Sequence, residues 1–400
     1  MLSLKNKLDT NLRYLLNNKC YKKYRVLIKC KCMLQNISKK IISYKDTIIC
    51  SLEYSNIICA ILKESSIQRL IEYPEVTFIT FDEYLFVCAN SVSSSNNLNI
   101  SKEINCTLTG KNIGIGLVDT GVFPHKDLTD NSNRIYEFHD LINNLNYPYD
   151  DNGHGTFIAG SIAGNGVSSN GLFKGIAPKA NLYCYKAFDK LGKGLTSDIL
   201  LSIEKIINSS KENNIKILCL PFELLNFNIF IIDAFNKTFL EAQKNKIIVV
   251  VPSGSNMASF NSIRGIATLD SCITVSGLKN TFSSEPYTFS SSGPYKNKHK
   301  PTIAAACSEI TCLNSDKSYI SEKDGLKLYP PRLKTSYKVA SGTSIACAYI
   351  CGICALLFEM RPDLTMKEIN SLFNLCSIKS DLSKNEVGYG LLDVNKLLSI

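Results

Sequence analysis

From Lys111 onward the chain repeats one unit, a short run rich in Ile and Val followed by a longer stretch with helical spacing. The runs are Ile113 to Val118, Leu182 to Ala187, Ile215 to Leu220, Ile247 to Val251 and Ile273 to Val275. Strands covered on both faces read as near-continuous apolar runs, and the helices between them supply the crossovers. The pattern therefore predicts an α/β domain with a mainly parallel sheet between helix layers. Ligands of such sheets bind beyond the carboxyl ends of the strands. Asp119 directly follows the first run and Asn256 comes shortly after Val251, so both are expected at one crevice.

The N-terminal part follows a different pattern. Strand-like Tyr24 to Cys30, helical Asn36 to Ser43, strand-like Thr47 to Leu52 and Asn56 to Leu62, helical Ser65 to Glu72 and strand-like Val76 to Phe81 give the order β-α-β-β-α-β. That order predicts a small α+β, ferredoxin-like domain and by itself says nothing about activity. Ser91 to Leu98 is polar and without period, which marks a linker. The expected organisation is a first domain over 1–90 with its core at about 24–88, a linker over 91–109, and the α/β domain over 110–400. A chain of 400 residues with 45% apolar content has enough material for two unequal domains.

Composition excludes several classes. The net charge of +10 lies in lysine-rich stretches such as Lys296 to Lys300 and shows no aromatic-interleaved basic motif, so no nucleic-acid partner is expected. No apolar run approaches the ~20 residues of a membrane span. The first ten residues mix charge with apolar side chains and lack the core of a secretory signal, so a cytoplasmic location is expected, with export by another route left open. Sixteen cysteines scattered over a long chain fit reduced thiols better than a disulfide framework. Cys351-Gly-Ile-Cys354 has the C-x-x-C spacing, but its small neighbours Ala346, Ala348, Gly352 and Ala355 suggest cysteine used as a packing residue. None of the four histidines pairs with cysteines at zinc-finger spacing.

Three short segments carry chemistry. Leu-Val-Asp119-Thr-Gly, Asn-Gly-His154-Gly-Thr and Ser-Gly-Thr-Ser344-Ile-Ala place an acid, a base and a nucleophile on small-residue turns. An alcohol attacks well only when a base takes its proton, and the imidazole that does so needs a carboxylate to orient it. Alone, Asp119 reads as a turn former, His154 as structural and Ser344 as a helix cap. The Asp-Thr-Gly of an aspartic protease is the rival for Asp119, but that chemistry needs a second such carboxylate and leaves His154 and Ser344 without a role. Ser344 opens a helix expected to run to about Met360 and to stop at Arg361-Pro362, so free amides lie where an oxyanion would develop.

These segments, in the order Asp, His, Ser, resemble the subtilisin-like serine proteases (the S8 subtilases), and the resemblance covers about Gly110 to the C-terminus. It extends to Phe173-Lys-Gly-Ile-Ala-Pro178 and to Tyr185-Lys-Ala-Phe188. It implies a three-layer αβα fold, a triad of Asp119, His154 and Ser344, and Asn256 as side-chain donor to the oxyanion. Phe188 and Gly192 would flank the bound substrate backbone, and Pro221, Phe222 and Glu223 would wall the pocket for the residue before the scissile bond. Asp127 matches a calcium ligand, and Asn170 lies in a loop that would complete a structural calcium site, although two ligands fall short of the six to eight oxygens that the ion takes. By its topology and position the first domain resembles the family's inhibitory propeptide. Its tail, Glu83 to Asn90, would then lie in the cleft as an added strand, with a cut near Cys88 to Asn90.

The chain also departs from the family. Pro221-Phe222-Glu223-Leu224 stands where a Ser-Leu-Gly-Gly strand is usual, so side chains replace bare backbone. Glu223 would either attract a basic residue or narrow the pocket and point to solvent. Ala348 replaces a common proline, and about 308–338 reads as an insertion. The expected function is a serine endopeptidase that needs no cofactor, acts on peptide or protein substrates and is inhibited by its own N-terminal domain. The alternative is a catalytically silent, protease-like binding protein that retains this domain. Oligomeric state is left open.

Overall fold

A computed structural model describes residues 6–31, 34–87, 108–226, 228–279, 285–296, 298–378 and 380–399. The junction expected near Cys88 to Asn90 and most of the expected linker lie outside them. The chain forms two compact units: Met1–Tyr84 together with Leu195–Glu204, and Leu85–Gly194 together with Lys205–Ile400.

The smaller unit begins with helix α1 (Thr10–Asn17), whose first amides are capped by the Asp9 carboxylate and whose buried face is Leu12 and Leu16. Then follow β1 (Tyr24–Cys30), α2 (Leu34–Ser43), β2 (Thr47–Leu52), β3 (Ile57–Leu62), α3 (Glu64–Leu70) and β4 (Val76–Phe81). The sheet order is β2-β3-β1-β4 and every pairing is antiparallel. Strands β1 and β3, buried over most of their length, and helices with one apolar edge, such as Ile37 and Ile41 of α2, close a single core. The expected β-α-β-β-α-β order is present, and α1 is an addition. Arg25 explains why the unit includes part of a later segment: its guanidinium bonds Asp82 (2.6 Å), Ser197 (2.6 Å) and Asp198 (2.8 Å). A final strand, β5 (Tyr84–Val87), continues past the boundary of the unit.

The larger unit carries β6 (Gly114–Asp119), β7 (Ile135–Asp140), α4 (His154–Ala163), β8 (Asn181–Lys186), β9 (Lys193–Leu195), the last turn of α5 (Thr196–Ser209), whose residues up to Glu204 belong to the smaller unit, β10 (Ile215–Cys219) and β11 (Phe222–Glu223). It continues with α6 (Ile229–Lys244), β12 (Ile248–Pro252), β13 (Ile273–Leu278) and β14 (Ile303–Ala306). Its nine-stranded sheet runs, by residue range, 377–378, 391–392, β14, β13, β12, β10, β6, β8, β7. All pairings in it are parallel except the one between its two C-terminal strands. Helices cover both faces, giving the three-layer αβα arrangement.

The insertion is a hairpin excursion between β15 (Ile310–Leu313) and its antiparallel partner Tyr337–Ala340. Within it, Glu322–Lys323 pairs with Leu326–Lys327 across Asp324-Gly325, both at positive φ, as a two-residue hairpin turn requires. Helix α7 (Thr343–Met360) stops where expected, and Ala348 sits inside it fully buried. Among the described residues it alone has the length and apolarity to cross a membrane, but most of it is buried in the core.

Candidate active site

Three element ends converge. Asp119 is the last residue of β6, His154 the first of α4 and Ser344 the second of α7. The His154 Nδ1 lies 2.7 and 2.9 Å from the two carboxylate oxygens of Asp119, and its Nε2 lies 3.0 Å from Ser344 Oγ. Because the carboxylate only accepts, Nδ1 carries the hydrogen and Nε2 is left to accept from the Ser344 hydroxyl. All three side chains are buried, so a charge formed on the imidazole is opposed by Asp119 in a poorly screened setting. The Ser344 hydroxyl is bonded to His154 and is not a helix cap.

The loop after β12 brings Asn256 beside this chain. Thr343 Oγ1 donates to Gly254 O (3.3 Å), which ties the start of α7 to that loop. The Asn256 amide nitrogen donates to Glu223 Oε2 (3.2 Å) and Ser291 Oγ (3.3 Å), and its backbone N–H to Ser291 Oγ (2.9 Å). Beside it, β5 is the middle strand of a three-stranded sheet, β11-β5-β9. Val87 stands opposite Phe222 and Phe86 opposite Glu223, antiparallel.

Residues 110–390 match the Subtilase family, Peptidase_S8. The chain belongs to the subtilase family. It is 37% identical to serine protease AprX of Bacillus subtilis (strain 168) over 277 residues, which make up 66% of this chain and 61% of AprX. The structure is similar to fervidolysin from Fervidobacterium pennivorans, described as a keratinolytic enzyme related to subtilisin. There the TM-score is 0.72 at 17% identity, covering 95% of this chain and 61% of that one. It is also similar to the epidermin leader peptide processing serine protease EpiP of Staphylococcus aureus, with a TM-score of 0.69 at 18% identity, covering 95% of this chain and 98% of that one.

Two charged residues of this subtilase that the sequence reading did not single out hold the converging ends in place. Asp150, fully buried, accepts from Thr120 Oγ1 (2.9 Å), Gly153 N (2.7 Å), Thr156 N (2.8 Å) and Thr156 Oγ1 (2.6 Å). It thereby caps α4, whose cap position is a glycine at φ 91° with no side chain to do so. Lys186, also fully buried, donates to Thr120 O (2.6 Å), Phe188 O (3.1 Å) and Asp151 Oδ1 (2.6 Å). An acid four residues before the His154 and a lysine ending an apolar strand were the available signals. Gly155 is required by close approach, since a Cβ there would run into Gly121 O and lie 3.1 Å from the Asp119 Cβ. From the far end of the insertion, Lys338 donates to Gly153 O (2.9 Å), and burial lowers its pKa.

Other expected residues lie as follows. Phe188 is fully buried and packs on Phe222 with ring centroids 5.1 Å apart, and its backbone bridges to Gly194. Gly192 lies just before β9 at φ 74°. Glu223 is buried and does not point to solvent. The Asp127 carboxylate accepts one proton donor on each oxygen, Ser168 N (3.0 Å) and Tyr337 Oη (2.5 Å). Its neighbour His125 accepts from Asp127 N (3.0 Å), and burial lowers the His125 pKa. Asn170 follows the 167–169 turn at φ 52°. All cysteines among the described residues are free thiols. Cys351 groups with Cys219 and Cys347, all buried with sulfurs within 4.8 Å of one another, and the group does not include Cys354.

Proposed function

We propose that this subtilase is a serine endopeptidase that cleaves peptide bonds through an acyl-enzyme. The observation that carries this reading is the unbroken Asp119–His154–Ser344 hydrogen-bond chain. As Ser344 Oγ attacks the carbonyl carbon, its proton passes to His154 Nε2, and Asp119 stabilises the imidazolium. The carbonyl oxygen becomes an oxyanion that accepts from the Ser344 amide at the start of α7 and from the Asn256 side chain. His154 then gives its proton to the leaving amine, and water repeats the sequence to free the acyl group. No step needs a cofactor.

The N-terminal unit is read as an inhibitory prodomain. Supporting this is β5, which supplies the added strand beside β11 that an extended substrate would supply. The test compares intact masses of the wild type and Ser344→Ala. Shortening near Cys88 to Asn90 in the wild type alone is the expected result, and two full-length proteins would refute self-processing.

One observation favours a second reading, a silent binding protein: the Asn256 amide already donates to Glu223 and Ser291. Labelling by a fluorophosphonate that Ser344→Ala abolishes rules it out. Absence of labelling after removal of the N-terminal unit would establish it instead.

A further inference from the structure

Resting on the reading of Ser344 and Asn256 as reacting residue and oxyanion donor, we propose that Glu223 sets the size of the residue accepted before the scissile bond. Its carboxylate fills the recess beside Asn256, so cleavage follows small, uncharged side chains such as Gly, Ala, Ser and Cys.

The argument begins with position. The oxygen of the attacked carbonyl must come within hydrogen-bond reach of the Asn256 amide nitrogen, and the α-carbon of the residue in question is bonded to that carbonyl carbon. Glu223 Oε2 lies 3.2 Å from the same nitrogen. Carboxylate and incoming side chain therefore compete for one region. Strand alternation puts Glu223 there: on β11 its neighbour Phe222 turns the other way, onto Phe188.

The recess is filled rather than merely charged. One carboxylate oxygen accepts from Ser255 Oγ (2.5 Å), and the other from Ser255 N (3.1 Å) and Asn256. The side chain presses so closely on Gly254 that a Cβ there would stand 2.5 Å from Oε2. Gly254 has φ 105°, so the loop is shaped to admit Glu223. A large side chain would have to expel a buried carboxylate from three hydrogen bonds, and an acidic one would add like charge beside it. A cationic one would find both oxygens already engaged by the loop. Cys88-Ala89, which follow β5 in sequence, are both small.

The test uses peptides that differ only in Ala, Phe or Lys before the cut. For the wild type, kcat/KM is expected to favour Ala over Phe by about tenfold or more, the scale on which pockets discriminate size. Glu223→Ala should shrink that ratio by about tenfold, whereas Glu223→Gln, of equal size, should leave it within about threefold. Taking the ratio cancels any common change at Asn256. The same ratio is read without turnover from fluorescence-anisotropy binding of these peptides to Ser344→Ala after removal of its N-terminal unit, with and without Glu223→Ala. An inactive protein thus refutes the proposed function while the size selection is still measured. An unmoved Phe-to-Ala ratio in Glu223→Ala overturns the proposal, as does a Lys preference that Glu223→Gln abolishes.

Discussion

His154 is held between a carboxylate that fixes its hydrogen and the Ser344 hydroxyl that donates to its Nε2, and the carboxylate is itself held. Asp119 also accepts from Thr120 N (2.6 Å), and the Thr120 carbonyl accepts from Lys186. Lys186→Met leaves the carbonyls of Thr120 and Phe188 without this donor and Asp151 without its cation. We expect a loss of about 3 kcal/mol in urea denaturation, the lower end for breaking a buried pair because Asp151 is partly exposed, together with a lower kcat. Asn256→Ala should act differently. In the proposed mechanism it removes the side-chain donor to the oxyanion, so kcat is expected to fall about 10²- to 10³-fold, the size measured for such a donor in subtilisin, with KM changed little in steady-state assays. Glycine 155 and Asp150 show that the residues around the triad are chosen by space and by unsatisfied amides, not by reactivity.

At the scale of elements, the site is made by ends: one strand terminus and two helix starts, with the β12 loop and β11 alongside. Both helix starts begin after glycine and rely on side chains elsewhere for support, Asp150 for α4 and the Thr343 link to Gly254 for α7. The turn around Asp127 is closed by protein donors from the 167–169 turn and from the return strand of the insertion. Thermal unfolding is therefore expected to show the same Tm with and without a chelator. A Tm that falls on chelation and recovers on adding calcium would contradict that assignment. The insertion thus acts as a clasp between elements, with Lys338 at Gly153 and Tyr337 at Asp127.

At the scale of the whole molecule, the stability of the smaller unit should depend on pH through Glu204. Burial raises its pKa from 4.5 to about 7, partly offset by bonds from the Glu53 and Tyr54 amides. Below pH 4.5 the group is neutral folded or unfolded. Between 4.5 and 7 the unfolded chain releases the proton first, so folding stability falls as pH rises and levels off above 7. The loss is at most about 3 kcal/mol, and Glu204→Gln should remove it, as read from urea denaturation at pH 4.5 and pH 8. The sequence by itself determined the parallel sheet, because short apolar runs such as Ile247 to Val251, alternating with longer helical stretches, call for strands covered by helices on both faces. It also determined the β-α-β-β-α-β order and the candidate acid, base and nucleophile, because small-residue turns after strands and before helices leave a local signature. Helix α1 escaped it, since a short helix with two buried leucines resembles a loop until it has a sheet to cover. Only the tertiary structure decided that Asp150 and Lys186 support the Asp119–His154–Ser344 chain, that Asp127 accepts from Tyr337 210 positions away, and that Glu223 turns onto Ser255 and Asn256. Those are contacts between segments distant in sequence, and neither periodicity nor spacing carries information about which buried charge meets which donor.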